Sequence, residues 1–552
     1  MSSLIALLLL SVTADPSATV AGPPEARWTA TETAVDTLVV CPDSFRAALR
    51  PWCELRRGEG HHIAIISNLA TPDEIRWQIR QEAQEGHLRF VVLIGTASMT
   101  MYERAAVRDR GIPMHYAQAR VNSKWGSTPT IASDNWYAQP ETADDEHPEP
   151  AVAIGRIPAE SPEELSAIVK KIVDYERSSD FGPWRRQMNF VAGVGDFGLL
   201  ADTLIESAAT LFMTQTIPAE YRVSMTYGNW RSPYCPDPRR FHATALERLD
   251  EGALLWVYMG HGSVQETDPM ETPRQSYPIL TLRDATALRG TSRRPIALFL
   301  SCYAGAVDAR GGCLATALLR APGGPVAVIA GSRMTMPYAL TLLSTNLTDE
   351  LFRSPCATLG EALLHAKRRM LREPEKSDSR RATLDAIAGV VSPSAQDLAA
   401  ERAEHVLMFH LIGDPLLRLR HPQPAVLKTA PTAPAGQRLV VQGTSPIEGQ
   451  ATLELVVRRD RIRGPRPTRD AYPRNDAALL AYDEVYQRAN DRRLSMVPLA
   501  VRKGPFRAEI DIPVEAAGAC QVCIFVSGRD DMAAGSVDVK VTDAATAERQ
   551  TR

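Results

Sequence analysis

Two apolar runs without polar alternation constrain this chain more than anything else in it. Ala253-Leu254-Leu255-Trp256-Val257-Tyr258-Met259 leads straight into Gly260-His261-Gly262-Ser263, and Ile296-Ala297-Leu298-Phe299-Leu300 into Ser301-Cys302-Tyr303. A strand with one wet face alternates polar and apolar residues. A run that does not alternate must be covered on both faces, as parallel strands of an α/β sheet are. Ligands of such sheets sit at the carboxyl ends of the strands. If the two runs are parallel neighbours, His261 and Cys302 leave the sheet at the same edge, where a thiol and an imidazole form a nucleophile–base pair. A lone cysteine at a strand end is ordinarily a small buried hydrophobe, and a lone histidine a scaffold residue. The conjunction points to chemistry.

The 552 residues exceed one ordinary core. The expected organisation is a signal peptide over 1–14, an N-terminal arm over 15–35, an α/β subdomain over 36–180 and a second, catalytic one over 181–421. A Pro-rich linker over 422–436 and a β-sandwich over 437–545 follow, the latter with a helical insertion over 469–493. Apolar strands alternate with helical stretches up to about residue 419, the pattern of parallel sheets. Helix starts are written at Thr71-Pro72-Asp73-Glu74 and Ser161-Pro162-Glu163-Glu164, each a capping hydroxyl, a proline and first-turn acids. Val406 to Pro415 reads as a closing strand. Beyond the linker, short alternating strands take over.

Leu4 to Val12 is an apolar stretch too short to span a bilayer, and Val12-Thr13-Ala14 fits the small-residue rule before a cleavage site. Export to the periplasm, cell surface or medium is the expectation. No later segment reads as a membrane span. A net charge of −3 gives no argument for nucleic acid as a partner. The 8 cysteines are too sparse for a disulfide scaffold.

The paired blocks ending in His-Gly and in a small residue plus Cys resemble the caspase–legumain–gingipain clan of cysteine peptidases. Further blocks narrow the resemblance to the gingipain family. These are Ser133-Asp134-Asn135-Trp136-Tyr137-Ala138, the segment from Ala151-Val152-Ala153-Ile154-Gly155-Arg156-Ile157-Pro158 to Lys171-Ile172-Val173-Asp174-Tyr175-Glu176, and Ile412-Gly413-Asp414-Pro415-Leu416, in that order. The likeness covers about Asp36 to Leu419. It implies two caspase-like parallel-sheet subdomains followed by an immunoglobulin-like β-sandwich, and a monomeric cysteine endopeptidase acting on proteins or peptides. Cys302 is then the nucleophile, His261 its acid/base partner and Asp196 the orienting acid, with Gly262 and Cys302 N–H groups at the oxyanion. Asp202 falls near where arginine-specific relatives keep an acid for the substrate side chain, the alternative being a solvated residue early in a helix, and Ser263, Ser301, Arg333 and Met336 fall on the substrate side. No cofactor is required and no metal ligands are assigned, although family members bind calcium.

Departures from the family bear on substrate choice. The loop after Ser263 lacks the tryptophan of arginine-specific relatives. Gly331-Ser332-Arg333-Met334-Thr335-Met336 has no aromatic lid and adds a cation. The long propeptide of well-known members is also missing from the expected layout. Two other outcomes stay open from sequence: a surface transpeptidase passing the acyl group to an amine, and a catalytically silent surface binding protein. Gly193-Val194-Gly195-Asp196-Phe197-Gly198 matches a dinucleotide fingerprint, but Asp196 would face the pyrophosphate and the next strand ends without a ribose-binding acid. Cys520-Gln521-Val522-Cys523 lies in an apolar strand and reads as core rather than as a redox pair.

Overall fold

A computed structural model describes residues 34–68, 71–98, 110–139, 141, 144–194, 216–290, 292–353, 355–374, 378–392, 394–463 and 467–542. Ten strands make one continuous sheet: β1 (Thr37–Val40), β2 (Ile63–Ile66), β3 (Phe90–Ile94), β4 (Ala153–Ile157), β5 (Gln187–Ala192), β6 (Arg222–Tyr227), β7 (Leu255–Met259), β8 (Ile296–Leu300), β9 (Ala327–Gly331) and β10 (Phe409–Ile412). Their order is β6-β5-β7-β8-β9-β10-β4-β3-β1-β2. All pairs are parallel except β9 with β10.

The lack of alternation in the sequence is explained by burial on both faces. Leu255 and Val257 of β7 belong to one apolar core with Ile296, Leu298 and Leu300 of β8. The intervening Trp256, Tyr258, Ala297 and Phe299 fill a second core on the opposite face. In the first half of the sheet Val39 and Val92 share the first core, while Leu38, Val40, Val91 and Leu93 face a third. The predicted helix starts form. Thr71 Oγ1 accepts the Glu74 N–H at 3.2 Å while the Glu74 carboxylate takes the Thr71 N–H at 2.8 Å, and Ser161 Oγ accepts the Glu164 N–H at 3.2 Å.

The two stretches expected as parallel-sheet subdomains share a single ten-stranded sheet. The stretch read as a strand from Val406 is helical through Met408, because the Leu398–Met408 helix runs directly into β10. β10 then inserts antiparallel to β9 and parallel to β4. The two halves therefore run in opposite directions, and their strand carboxyl ends lie on opposite edges.

Charges buried on either side of β10 fasten this join. Arg156 of β4 donates through Nη2 to Asp134 Oδ1 at 2.6 Å and through Nε to Oδ2 at 2.9 Å. His410 Nδ1 lies 3.5 Å from the same carboxylate, in ion-pair range but not aligned as a hydrogen bond. Burial alone would raise the Asp134 carboxyl, but the Arg156 guanidinium outweighs it and holds the group well below the usual carboxylate range. Beyond the other end of β10, Asp414 Oδ2 accepts Trp52 Nε1 at 2.5 Å and Arg56 Nη2 at 2.6 Å, and Arg56 reaches Glu176 at 3.0 Å.

Residues 422–436, expected as a linker, instead contribute three short strands, Gln423–Pro424, Val426–Thr429 and Thr432–Pro434. They join two sheets of the C-terminal part. One sheet carries Gly449–Val457, Arg493–Val501, Gly518–Ser527 and Met532–Thr542; the other carries Arg438–Ser445 and Gly504–Asp511. Both sheets contribute to one apolar core, with Leu439, Val441 and Ile510 on one side and Leu453, Val522 and Ile524 on the other. Cys520 is in that core, and Cys523 is buried with its thiol toward the Ala219 carbonyl at 3.5 Å.

Within the span 469–493, expected as a helical insertion, a helix covers Ala477–Asn490 and lies against the edge of the large sheet. Asn490 accepts the Met225 N–H at 2.7 Å and donates to the Met225 carbonyl at 3.0 Å, standing in for a neighbouring strand at β6. Tyr486 and Thr226 hydroxyls meet at 2.7 Å.

Replacing Asp134 by Ala leaves Arg156 buried without a counter-charge, and should cost about 3–5 kcal/mol in urea unfolding. An Asp134→Leu, Arg156→Met double variant should recover at least half of that loss, because the desolvated charges go together.

Candidate active site

The site starts from register. β7 and β8 are parallel neighbours with Met259 opposite Leu300. His261 and Cys302 each lie two residues beyond that pair, and the ladder continues one step further through Gly260 N–H to the Leu300 carbonyl at 3.4 Å. The two loops then press together. A Cβ on Gly262 would stand 2.8 Å from the Cys302 carbonyl oxygen and 2.8 Å from Ser301 Oγ, closer than real Cβ contacts come. Glycine after the histidine is thus a packing requirement of the two strand ends.

Cys302 is half-buried on a sharp turn. Tyr303, next in the chain, has φ +57°, a left-handed conformation that costs a bulky side chain roughly 1–2 kcal/mol. Surrounding bonds impose it: Tyr303 N–H donates to the Arg333 carbonyl at 3.1 Å, Ala304 N–H to the Cys302 carbonyl at 2.7 Å, and Gly305 N–H to the Gly331 carbonyl at 2.9 Å. Such strain, held in place by its surroundings, is characteristic of functional turns. The sulfur accepts the Thr335 N–H at 3.3 Å and lies 3.6 Å from Thr335 Oγ1. No acceptor among the described residues takes the Gly262 or the Cys302 N–H. Ser301 Oγ is also buried without a hydrogen-bond partner among them.

Asp268 is a component that sequence reading did not single out. Its N–H donates to the His261 carbonyl at 3.2 Å, and Tyr258 Oη bonds both that carbonyl, at 2.9 Å, and the Asp268 carboxyl. Burial pushes the Asp268 carboxyl up to about 7. The carboxyl fills the space beside Gly193, where a Cβ would lie 2.3 Å from Oδ2. The first glycine of the apparent dinucleotide fingerprint is therefore explained by an aspartate packed against it. Nothing in the sequence separates Asp268 from any other loop acid.

The remaining expected residues fare differently. Asp196 and Asp202 lie outside the described residues. Ser263 closes a local turn, its Oγ donating to the Glu266 carbonyl at 3.0 Å. Arg333, expected on the substrate side, is buried and braces its loop. Its guanidinium pairs with both Asp308 oxygens at 3.0 and 2.7 Å and donates to the Thr130 and Ser332 carbonyls at 2.7 and 2.8 Å. Met336, also expected to meet substrate, is buried, with its N–H held by His405 Nε2 at 2.8 Å. Thr335, between them, is the residue of this loop that reaches the sulfur. Tyr303 Oη and Ser127 Oγ lie 3.3 Å apart, so the first half of the chain supplies part of the wall.

The family model of peptidase family C25 matches residues 30–420. The chain belongs to peptidase family C25. Among solved structures it is similar to the Arg-specific cysteine proteinase gingipain R (RGPB), at 16% identity with a TM-score of 0.51, over 92% of this chain and 98% of that one. A complex of Porphyromonas gingivalis RgpB pro- and mature domains gives 16% identity and a TM-score of 0.50, over 92% and 100%. No curated protein matches in sequence. At such identity the shared property is the fold, that of a gingipain-family cysteine peptidase. In this C25 chain the family-like blocks around Asp134, Arg156, Glu176 and Asp414 are the buried ion pairs beside β10. The reactive-residue blocks are the ends of β7 and β8.

Asp268 gives a prediction with a definite sign. A carboxyl near 7 in the folded chain and about 3.9 unfolded keeps a proton that unfolding releases. Its contribution to stability is full below about pH 4 and is lost as pH rises toward 7. Asp268→Asn should therefore gain stability relative to the parent between pH 5 and 7.5, read from urea midpoints. A constant difference would show that the carboxyl is ionised throughout.

Proposed function

We propose that this C25 chain is a cysteine endopeptidase that cleaves protein or peptide substrates through a Cys302 thioester, with His261 as general acid and base. The observation that carries the reading is the common register of β7 and β8, which brings Gly260-His261-Gly262 and Ser301-Cys302 out at one sheet edge, in contact. The Cys302 thiol gives its proton to His261, and the sulfur attacks the scissile carbonyl carbon. The carbonyl oxygen takes the negative charge and is received by the Gly262 and Cys302 N–H groups, which have no competing acceptor among the described residues. Collapse breaks the C–N bond, and the amine leaves with the proton from His261. Water, deprotonated by His261, then attacks the thioester; the C–S bond breaks and the thiol is restored.

In this reading Asp196 orients the imidazole and Asp202 faces the substrate side chain. Both roles rest on the family likeness of the sequence. Arg333 is neutralised by Asp308, so it neither recruits an acidic side chain nor repels a basic one. The chain is read as exported through residues 1–14, acting as a monomer, with the C-terminal two-sheet part as an immunoglobulin-like domain. No helix among the described residues is long and apolar enough to cross a membrane.

Cys302→Ala should lower turnover of a protein substrate at least ~10⁴-fold and abolish labelling by a thiol-reactive acyloxymethyl ketone, while His261→Ala should cost at least ~10³-fold. Cleavage that persists in folded Cys302→Ala protein would end the proposal.

A further inference from the structure

A second reactive cluster lies at the closed end of a helical hairpin. Glu350 is on the last turn of the Pro337–Phe352 helix, His365 is on the second turn of the Leu359–Leu371 helix, and Cys356 is in the connection between them. Cys356 Sγ is 3.3 Å from His365 Nδ1 and 3.4 Å from Glu350 Oε2, and those two atoms are 3.5 Å apart. Zinc bonds of about 2.3 Å to sulfur, 2.0–2.1 Å to nitrogen and 2.0–2.2 Å to oxygen, in a tetrahedron, place such ligand atoms about 3.4–3.6 Å from one another. The three measured edges match that figure to within a few tenths of an ångström.

We propose that Glu350, Cys356 and His365 bind a zinc-class divalent ion, with the fourth position open to water. The donor set is a soft thiolate, an imidazole and a carboxylate, the combination that favours zinc over magnesium or calcium. The carboxylate is aimed from behind, because Arg369 Nη1 sits on its other oxygen, Oε1, at 3.4 Å. Neighbouring charges are balanced: Asp349 is met by Arg353, Arg369 and Arg380, and Glu361 by Arg89. Glu350 is buried, Cys356 half-buried and His365 exposed, so an ion has an entry path. Without a cation, burial and the adjacent Glu350 carboxylate push the Cys356 thiol up to about 12, and a metal reverses the balance by taking the thiolate as a ligand. Binding then forms the metal–sulfur bond and releases the thiol proton to solvent.

The site is not part of the reactive cleft. Its helix begins beside Thr335, which touches Cys302, and at 1.5 Å per residue Glu350 lies about 20 Å further along. The ion would staple the hairpin whose near end walls the cleft.

The test uses full-length protein carrying Cys302→Ala, so that the cleft thiol cannot compete, titrated with cobalt(II) and then zinc. The expected result is one cobalt per chain with a thiolate-to-cobalt charge-transfer band, displaced by zinc, and a rise in melting temperature with zinc. Cys356→Ser should remove the band. His365→Ala, which keeps the thiol, and Glu350→Gln should each weaken zinc at least ~10-fold. A folded parent without the band, or a band that survives Cys356→Ser, would overturn the proposal and leave the three groups as a hydrogen-bonded cluster.

Discussion

The strand that reverses direction in the middle of the sheet is the constraint on which the rest depends. β10 has to leave the end of a helix, lie antiparallel to β9 and still pair with β4. Four residues of backbone pairing are a thin joint for two halves of this size. Buried charge on both sides supplies the missing definition. Asp134 with Arg156 fixes the neighbour strand beside His410, and Asp414 with Arg56 and Trp52 fixes the turn that follows. Such pairs add little net stability over apolar packing, but a misplaced strand would leave each charge alone in the core. They act against wrong registers more than in favour of the right one.

The reactive edge inherits its precision from this joint. β7 and β8 deliver the histidine and the cysteine, but the turn carrying Tyr303 is held by the loop after β9, and that loop is held in turn by the first half of the chain. Ser332 Oγ donates to the Ala132 carbonyl at 2.8 Å, and Arg333 Nε to the Thr130 carbonyl at 2.7 Å. A left-handed tyrosine stays put only if its surroundings cannot relax, and these bonds anchor them to residues some two hundred positions away. The strained turn is a long-range product of the fold although it looks local.

What the sequence revealed and what it hid divide along the same line. Strands β7 and β8 were legible because burial on two faces writes itself as an unbroken apolar run. The helix starts at Thr71 and Ser161 were legible because capping is settled within four residues. The blocks around Asp134, Arg156, Glu176 and Asp414 could be seen as family-like, but their physical work could not. Each is half of an ion pair whose other half is 22 to 358 positions distant. Arg333 looked like a substrate cation because Asp308, its partner, is a residue type that any loop can hold. Residues 422–436 looked like a linker because proline content hides edge pairing, which needs few N–H donors. The continuity of the sheet was hidden for the same reason as the ion pairs: one short strand, placed by tertiary contacts, decides it.

The asparagine that closes the outer strand ties the fate of the two ends of the polypeptide together. Met225 would otherwise present a bare donor and acceptor on the margin of a ten-stranded sheet, the template on which foreign chains add themselves. A fragment ending near residue 420 keeps every reactive group and loses this cover. Such a fragment leaves that margin open to strand addition, so the helix carried by the distal part shields a sheet to which it adds no strand.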